Sequence, residues 1–322
     1  MVTLPDIHAA QTRLHGVAVR TPLLELQLEE SELADARKLY LKPENLQPIG
    51  AFKLRGAYNK IASLSEQDRR RGVITYSSGN HGQGVAYAAR ALGTKAVIVM
   101  PGNAPAIKRE ATAALGAEIV LVGAGSLERQ KKAEELAARY GYVIVPPYND
   151  EHIIAGQGTM GLEILEDLPQ VETVLVPVGG GGMISGVATA IKLSNSAVKV
   201  IGVEPALAAD AQASLRAGKI LEFAAEQTTR TAADGLRTQS IGAINFEHMR
   251  RYVDDIITVS EDEILEAVRR LARDPKTVAE PSGAVAVAGF LFHADQLPQT
   301  RINVAVISGG NIEPQLLERV RR

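Results

Sequence analysis

The sequence predicts an α/β fold of parallel sheets covered by helices, spread over about two domains. Two observations carry this. Short runs rich in Val and Ile alternate with helix-length segments, and 322 residues suffice for roughly two domains of ordinary size. A third constrains the interior. Hydrophobic residues make up 46% of the chain but aromatics only 4%, so the core is aliphatic.

In chain order, residues 6–14 read as a short helix that Arg20-Thr21-Pro22-Leu23 ends. Alternation over 38–42 predicts a strand. A helix over 52–64 puts Lys53 at its start. Strands are predicted at 73–76, 96–100, 118–122 and 142–145, then at 174–178, 198–203, 256–259 and 303–307. Helices fill the gaps at 82–92, 105–115, 127–140, 158–165, 183–193 and 261–272. The segment 127–140 shows the clearest charged face. The four strands between 73 and 145 suit a small sheet inserted into a larger one.

Composition excludes several classes. A net charge of −2 is not the footprint of a nucleic-acid binder, and Arg69-Arg70-Arg71 is a short solvated run. There are no cysteines, so disulfides, thiolate metal sites and cysteine nucleophiles are excluded. The six histidines form no zinc-type pair at helical spacing. The N-terminus lacks the charged start and apolar run of a secretory signal. The uncharged stretch 173–191 has the length of a membrane span, but Pro177 and the glycines at 179–182 interrupt it. It reads as strand, loop and buried helix. A soluble, cytoplasmic protein is expected.

Chemistry concentrates in four stretches. In Gly50-Ala51-Phe52-Lys53-Leu54-Arg55-Gly56 a lysine lies between apolar neighbours. An ammonium against apolar walls loses solvation, so its pKa falls and the neutral amine becomes a nucleophile or base. A solvated lysine on an amphipathic helix is the plainer reading of this stretch alone. In Val178-Gly179-Gly180-Gly181-Gly182-Met183 an apolar strand runs into a helix. Four glycines let backbone N–H groups converge where the helix dipole also favours an anion, and phosphate is the natural ligand. No Gly-Lys-Ser/Thr follows and no register fits Gly-x-Gly-x-x-Gly, so neither nucleotide fingerprint applies. Ser77-Ser78-Gly79-Asn80-His81-Gly82 lies at another strand–helix junction, suited to a carboxylate or to simple N-capping. Ser308-Gly309-Gly310-Asn311 follows the last strand. An aldehyde for the lysine, a phosphate for the glycines and polar groups for a ring together describe pyridoxal phosphate.

The chain resembles the fold-type II pyridoxal-phosphate enzymes, specifically the serine/threonine dehydratase and serine racemase group. The resemblance runs from about Arg20 to Asn311. It rests on Phe52-Lys53-Leu54-Arg55-Gly56-Ala57, Ser77 to Gly82, Ala155-Gly156-Gln157-Gly158-Thr159, Gly179 to Gly182, Glu204-Pro205, Ala233-Asp234-Gly235, Glu280-Pro281 and Ser308 to Asn311. It implies two parallel-sheet α/β domains, as in the tryptophan synthase β fold, with the cofactor in the cleft between them. Residues 72–148 would form the small substrate-binding domain. Residues 1–71 and 149–322 would form the large one.

The resemblance also implies roles. Lys53 matches the Schiff-base lysine and the base that removes the Cα proton. Phe52 matches the residue beside the ring, and Asn80 the partner of the ring hydroxyl. Gly179, Gly180, Gly181, Gly182 and Met183 match the phosphate cup. Glu280 falls in a motif of the cofactor site. Ser308 matches the hydroxyl facing the pyridine nitrogen, where a serine leaves that nitrogen unprotonated and suits elimination. Ser77, Ser78, Asn80 and His81 match the loop that clamps the substrate carboxylate, and Ser78 the opposite-face acid/base of the racemases. Glu204, the Ala208 carbonyl and Asp210 match a site for a divalent cation such as Mg²⁺, Mn²⁺ or Ca²⁺.

Ala51 departs from the family, where many members carry serine. The chain ends soon after Asn311, so a C-terminal regulatory domain and feedback by isoleucine are not expected. The expected activity is α,β-elimination of L-threonine or L-serine to a 2-oxo acid and ammonia, by a homodimer. Alternatives are a serine or aspartate racemase, and a 3-hydroxyaspartate ammonia-lyase with Arg129 pairing the second carboxylate. A non-catalytic nucleotide binder would leave Lys53 and Ser308 without a role.

Overall fold

The apolar runs pair into two separate sheets in a computed structural model that describes residues 1–28, 37–77, 79–104, 106–123 and 126–321. The strands are β1 (Leu24–Leu26), β2 (Lys38–Pro43), β3 (Val73–Tyr76), β4 (Ala96–Pro101), β5 (Glu118–Val122), β6 (Val143–Ile144), β7 (Thr173–Pro177), β8 (Lys199–Pro205), β9 (Asp255–Val259) and β10 (Ile302–Ile307). One sheet runs β1-β2-β10-β7-β8-β9 and the other β5-β4-β3-β6. Every ladder is parallel except that of β1 on β2, as the α/β prediction requires.

Parallel strands need crossovers, and these are helical. In order they are α1 (Leu4–Leu14), α2 (Lys53–Ala62), α3 (Glu66–Arg71), α4 (Asn80–Ala91), α5 (Ala106–Ala114), α6 (Ser126–Tyr140) and α7 (Glu151–Asp167). Then come α8 (Gly182–Ser194), α9 (Asp210–Ala217), α10 (Ala225–Thr228), α11 (Ala243–Tyr252), α12 (Glu261–Leu271), α13 (Pro281–Phe292) and α14 (Pro314–Arg321). Alternate strand residues feed opposite faces. Leu175, Ile201 and Ala305 pack with α12 and α13, whereas Val174, Val200 and Val304 pack with α7 and α8. In the smaller sheet Val73 and Ile98 face α2 and α4, and Ile74, Val97 and Val99 face α6.

Three expectations need correction. Helix α7 starts at Glu151 rather than 158, because the Asp150 carboxylate accepts the amides of His152 and Ile153 and caps it there. Helix α13 was not predicted. It is apolar on all sides and almost wholly buried, so it carries no amphipathic signal. The sharpest amphipathic helix is α12, not α6. Its Ile264, Ala267, Val268 and Leu271 are buried along one face, and a Ser260–Glu263 capping box sets its start.

The run Ala155-Gly156-Gln157-Gly158-Thr159 proves to be a crossing device. A Cβ at Gly156 would lie 2.7 Å from the carbonyl oxygen of Arg55 on α2, and one at Gly186 of α8 only 2.3 Å from the Ile154 oxygen. Helix α7 is thus wedged between α2 and α8. The turns after β2, β3, β7, β8 and β10 carry the residues singled out in the sequence, at the C-terminal ends of their strands.

Candidate active site

Backbone pairing puts Lys53 beside the loop that follows β10. Ala51 bridges Gly309, the Phe52 N–H donates to the Ser308 carbonyl at 3.0 Å, and the Gly310 N–H donates to the Gly50 carbonyl at 2.9 Å. Lys53 therefore opens α2 next to Ser308, although 255 positions separate them. Its Nζ donates to the Pro147 carbonyl at 2.7 Å and lies 5.1 Å from the centre of the Phe52 ring. Burial pulls its pKa down to about 8. The sequence-level expectation of a destabilised ammonium is met by this environment.

The glycine loop joins β7 to α8. Gly181 has φ +90°, a conformation that disfavours any side chain with a Cβ. Gly180 is demanded by packing instead, since a Cβ there would lie 2.3 Å from the Tyr148 ring. The first amides of α8 have no intrahelical acceptor and no side-chain cap at Gly181. Asn245 buttresses the same loop, donating Nδ2 to the Tyr148 carbonyl at 3.2 Å, and its buried Oδ1 has no partner among the described residues.

The junction after β3 supplies the third wall. Ser77 Oγ accepts the Gly79 N–H at 3.1 Å, and Asn80 begins α4. Asn80 donates Nδ2 to Glu280 Oε1 and accepts the Asn311 amide on Oδ1 at 2.9 Å. His81 lies buried with Nε2 3.0 Å from the Val145 carbonyl. A carbonyl only accepts, so Nε2 carries the proton and Nδ1 is a bare acceptor with no partner among the described residues. Burial, reinforced by the nearby Lys53 charge, pushes the imidazole down to about 3, so it is neutral at pH 7. Ser308 donates Oγ to the Ser282 carbonyl at 3.2 Å. Ser78 lies outside the described residues.

Glu204 and Asp210 stand apart from this cluster, at the end of β8 and the start of α9, both fully buried. Glu204 accepts the amides of Ala211 and Gln212 at 3.0 and 2.8 Å. Neither Asp210 oxygen meets a well-aligned donor, although the amides of Asp210 and Ile241 lie close enough to favour its charge. Burial lifts Asp210 to about 7 and, with the Asp210 charge, raises Glu204 well above its ordinary value. Ala208 is buried in the turn between them. No group of three or more His, Cys, Asp or Glu among the described residues has the arrangement of a metal centre.

Several residues at the site escaped the sequence. Tyr148 covers the glycine loop, and the preceding Pro146-Pro147 was the only local signal of a stiff segment. Lys108 forms an ion pair of 2.6 Å with Asp234 of the Ala233-Asp234-Gly235 motif, beside Glu280. Asn245 gave no local signal.

The sequence matches the family described as pyridoxal-phosphate dependent enzyme over residues 16–309, and the chain belongs to that family. An L-threonine ammonia-lyase of Thermotoga maritima is 47% identical over 320 residues, covering 99% of this chain and 78% of that protein. An L-threo-3-hydroxyaspartate ammonia-lyase of Saccharomyces cerevisiae is 39% identical, covering 97% of this chain and 94% of that protein. The solved structure of maize serine racemase superposes with TM-score 0.92 at 36% identity, covering 99% of this chain and 96% of that one. The residues fit the family's cofactor. A partly buried amine, a helix N-terminus with no side-chain cap behind four glycines, and a bare buried acceptor on His81 are groups that such a cofactor can use.

Among the described residues no helix is long and apolar enough to cross a membrane.

Proposed function

We propose that the chain is a pyridoxal-phosphate-dependent ammonia-lyase acting on L-threonine and L-serine. The observation that carries this is Lys53, an amine whose pKa burial lowers to about 8 at the start of α2, beside the backbone of Ser308. L-Threonine gives 2-oxobutyrate and ammonia, and L-serine gives pyruvate and ammonia. One water is lost on elimination and regained on hydrolysis of the enamine.

When bound, the cofactor supplies an aldehyde for the substrate amine and an electron sink that weakens its Cα–H bond. The chain does the rest. Gly179 to Met183 would hold its phosphate by backbone N–H groups and the α8 dipole. Phe52 and Asn80 would hold its ring and ring hydroxyl, and Ser308 would offer a neutral hydroxyl to its ring nitrogen. The Ser77 and Ser78 hydroxyls and the backbone N–H groups of Asn80 and His81 would receive the substrate carboxylate, since the bare His81 Nδ1 only accepts. Lys53 Nζ takes the Cα proton. A buried, weakly basic amine near pH 8 is matched to that task.

Glu204, Asp210 and the Ala208 carbonyl would hold a divalent cation. Two buried carboxylates with raised pKa values, one without a well-aligned donor, suit a hard cation that lets both ionise. Strand membership supports the proposed division into 72–148 and the remainder, since β3 to β6 pair only among themselves in the described residues. The same reading takes the chain as a cytoplasmic homodimer.

The test is 2-oxo acid release from L-threonine by the purified protein with pyridoxal phosphate and Mg²⁺. Release that Lys53→Ala abolishes upholds the proposal. No release from a yellow protein overturns the threonine reading in favour of a second one, to which the likeness to maize serine racemase points. There Ser78 would return the proton from the opposite face, and D-serine formed by wild type but not by Ser78→Ala would establish it. The likeness to the yeast enzyme raises 3-hydroxyaspartate as a substrate, with Arg129 on α6 as the cation for its second carboxylate. Loss of that activity alone in Arg129→Ala would support this role.

A further inference from the structure

A buried cation bridges the two sheets where α4 begins. Lys108 lies on α5, which packs on α4 and on β5 of the four-stranded sheet. Its Nζ is 2.6 Å from Asp234 Oδ2 and 3.1 Å from Glu280 Oε2. Asp234 opens a short turn that packs on α13, and Glu280 is the N-cap of α13, which packs on the six-stranded sheet. Lys108 and Glu280 are 4% and 1% exposed, so water screens this pairing little. The lysine stem lies directly over Gly79, where a Cβ would meet its Cδ at 2.4 Å. Glu280 is thus gripped from one side by Lys108 and from the other by Asn80.

The charge on Glu280 decides how Asn80 is turned. An ionised carboxylate only accepts, so it requires the NH₂ end of the Asn80 amide. Asn80 Oδ1 is then free to accept Asn311, as observed at 2.9 Å, and the second Nδ2 proton remains for the cofactor's ring hydroxyl. Burial raises Glu280 above its ordinary value, the Asp234 charge adds to the rise and the Lys108 charge opposes it. A neutral Glu280 carries its own O–H and accommodates Asn80 in either orientation. Reversed, Asn80 would present an oxygen to the ring oxygen and repel its ionised form.

We propose that Lys108 is a positioning residue for the reaction: by keeping Glu280 ionised it orients the Asn80 amide toward the ring hydroxyl of the cofactor. This rests on the reading of the site as a pyridoxal-phosphate site. Lys108 itself touches neither cofactor nor substrate in this assignment. Its effect reaches them through two hydrogen-bonded side chains.

The experiment compares Lys108→Met, Lys108→Arg and the double variant Lys108→Met/Glu280→Gln as holoenzymes. Three quantities are read: the visible absorption of the bound cofactor at fixed pH, kcat and KM for L-threonine, and the melting temperature of the cofactor-free protein. Lys108→Met should shift the cofactor absorption to shorter wavelength and lower kcat by about tenfold or more, as expected when a buried charge partner is removed. Lys108→Arg should restore the absorption. The double variant should recover melting temperature, since no buried glutamate is left without its cation, but should not recover the absorption. A wild-type spectrum in Lys108→Met overturns the proposal. So does a spectrum that returns together with stability in the double variant, which would make Lys108 a structural bridge only. Failure of the underlying reading looks different: the wild-type protein itself would take up no cofactor and show no borohydride-reducible adduct on Lys53.

Discussion

The ammonium of Lys53 donates to the carbonyl oxygen of Pro147 at 2.7 Å, across the junction between α2 and the loop that leads into α7. This contact joins the reactive amine to the segment whose next residue, Tyr148, covers the glycine loop. Amine and glycine loop are therefore positioned by one stretch of backbone.

Replacing Lys53 with Ala should reduce 2-oxo acid formation by at least about 10³-fold, because nucleophile and base are lost together. Mass spectrometry after borohydride reduction should find no cofactor on the variant. Near-normal turnover would refute the assignment.

The depressed pKa of Lys53 has a pH signature in the cofactor-free protein. Its folded value of about 8 lies below the ordinary 10.5. Between those values the unfolded chain binds a proton that the folded chain does not, so this group's contribution to stability rises with pH across the window. Lys53→Met should be more stable than wild type at pH 7, and the gap should close by pH 10. Melting temperatures of both proteins at several pH values check this, and a constant gap would contradict it.

Asp210 behaves with the opposite sign. Its folded pKa of about 7 lies above the ordinary 3.8, so in chelator its contribution to stability falls as pH rises through 7. Bound Mg²⁺ or Ca²⁺ should reverse that loss, raising the melting temperature more at pH 8 than at pH 6. Saturation at 100 times Kd corresponds to about 2.7 kcal/mol. Asp210→Asn should abolish the cation effect, and a cation effect surviving in that variant would remove the site.

A buried network behind α2 predicts a large stability effect. Arg55 is 1% exposed and pairs with Glu44 at 2.8 Å and Glu163 at 2.7 Å, while Lys42 pairs with Glu163 at 2.6 Å. Arg55→Met strips a cation from two buried carboxylates and should cost about 3–5 kcal/mol. Urea unfolding of the cofactor-free protein measures this. A loss below about 1 kcal/mol would match an exposed pair instead.

Gly180→Ala should weaken cofactor binding. The new methyl collides with the Tyr148 ring, so the loop or the tyrosine must move, and cofactor affinity should fall about tenfold or more, the cost of displacing a packed group. Titration of the cofactor-free variant with pyridoxal phosphate reads this directly, and unchanged affinity would show that the loop tolerates the shift.

How much of this was legible varies with the range of the interaction. The β–α alternation came from hydrophobic period and turn residues, which are local, and most strands lie within two residues of their predicted bounds. Lys53, the glycine loop and Ser308 stood out because a residue type in a short context already limits the chemistry. Helix α13 stayed hidden because burial on all sides erases periodicity. Lys108 and Tyr148 stayed hidden because an ion pair or ring contact between distant segments leaves no mark in either.

By itself, then, the sequence determined the fold class, the aliphatic core and the residue types able to hold a phosphate, an aldehyde and a carboxylate. Those follow from side-chain chemistry and from periods of a few residues. Only the tertiary structure decided that Lys53 meets the Pro147 carbonyl, that the Nε2 proton of His81 faces Val145, and that Lys108 pairs with Glu280 across two sheets. Each depends on desolvation and on partners brought together by packing, and the free energy of a charge or hydrogen bond is set by surroundings that only the folded chain creates.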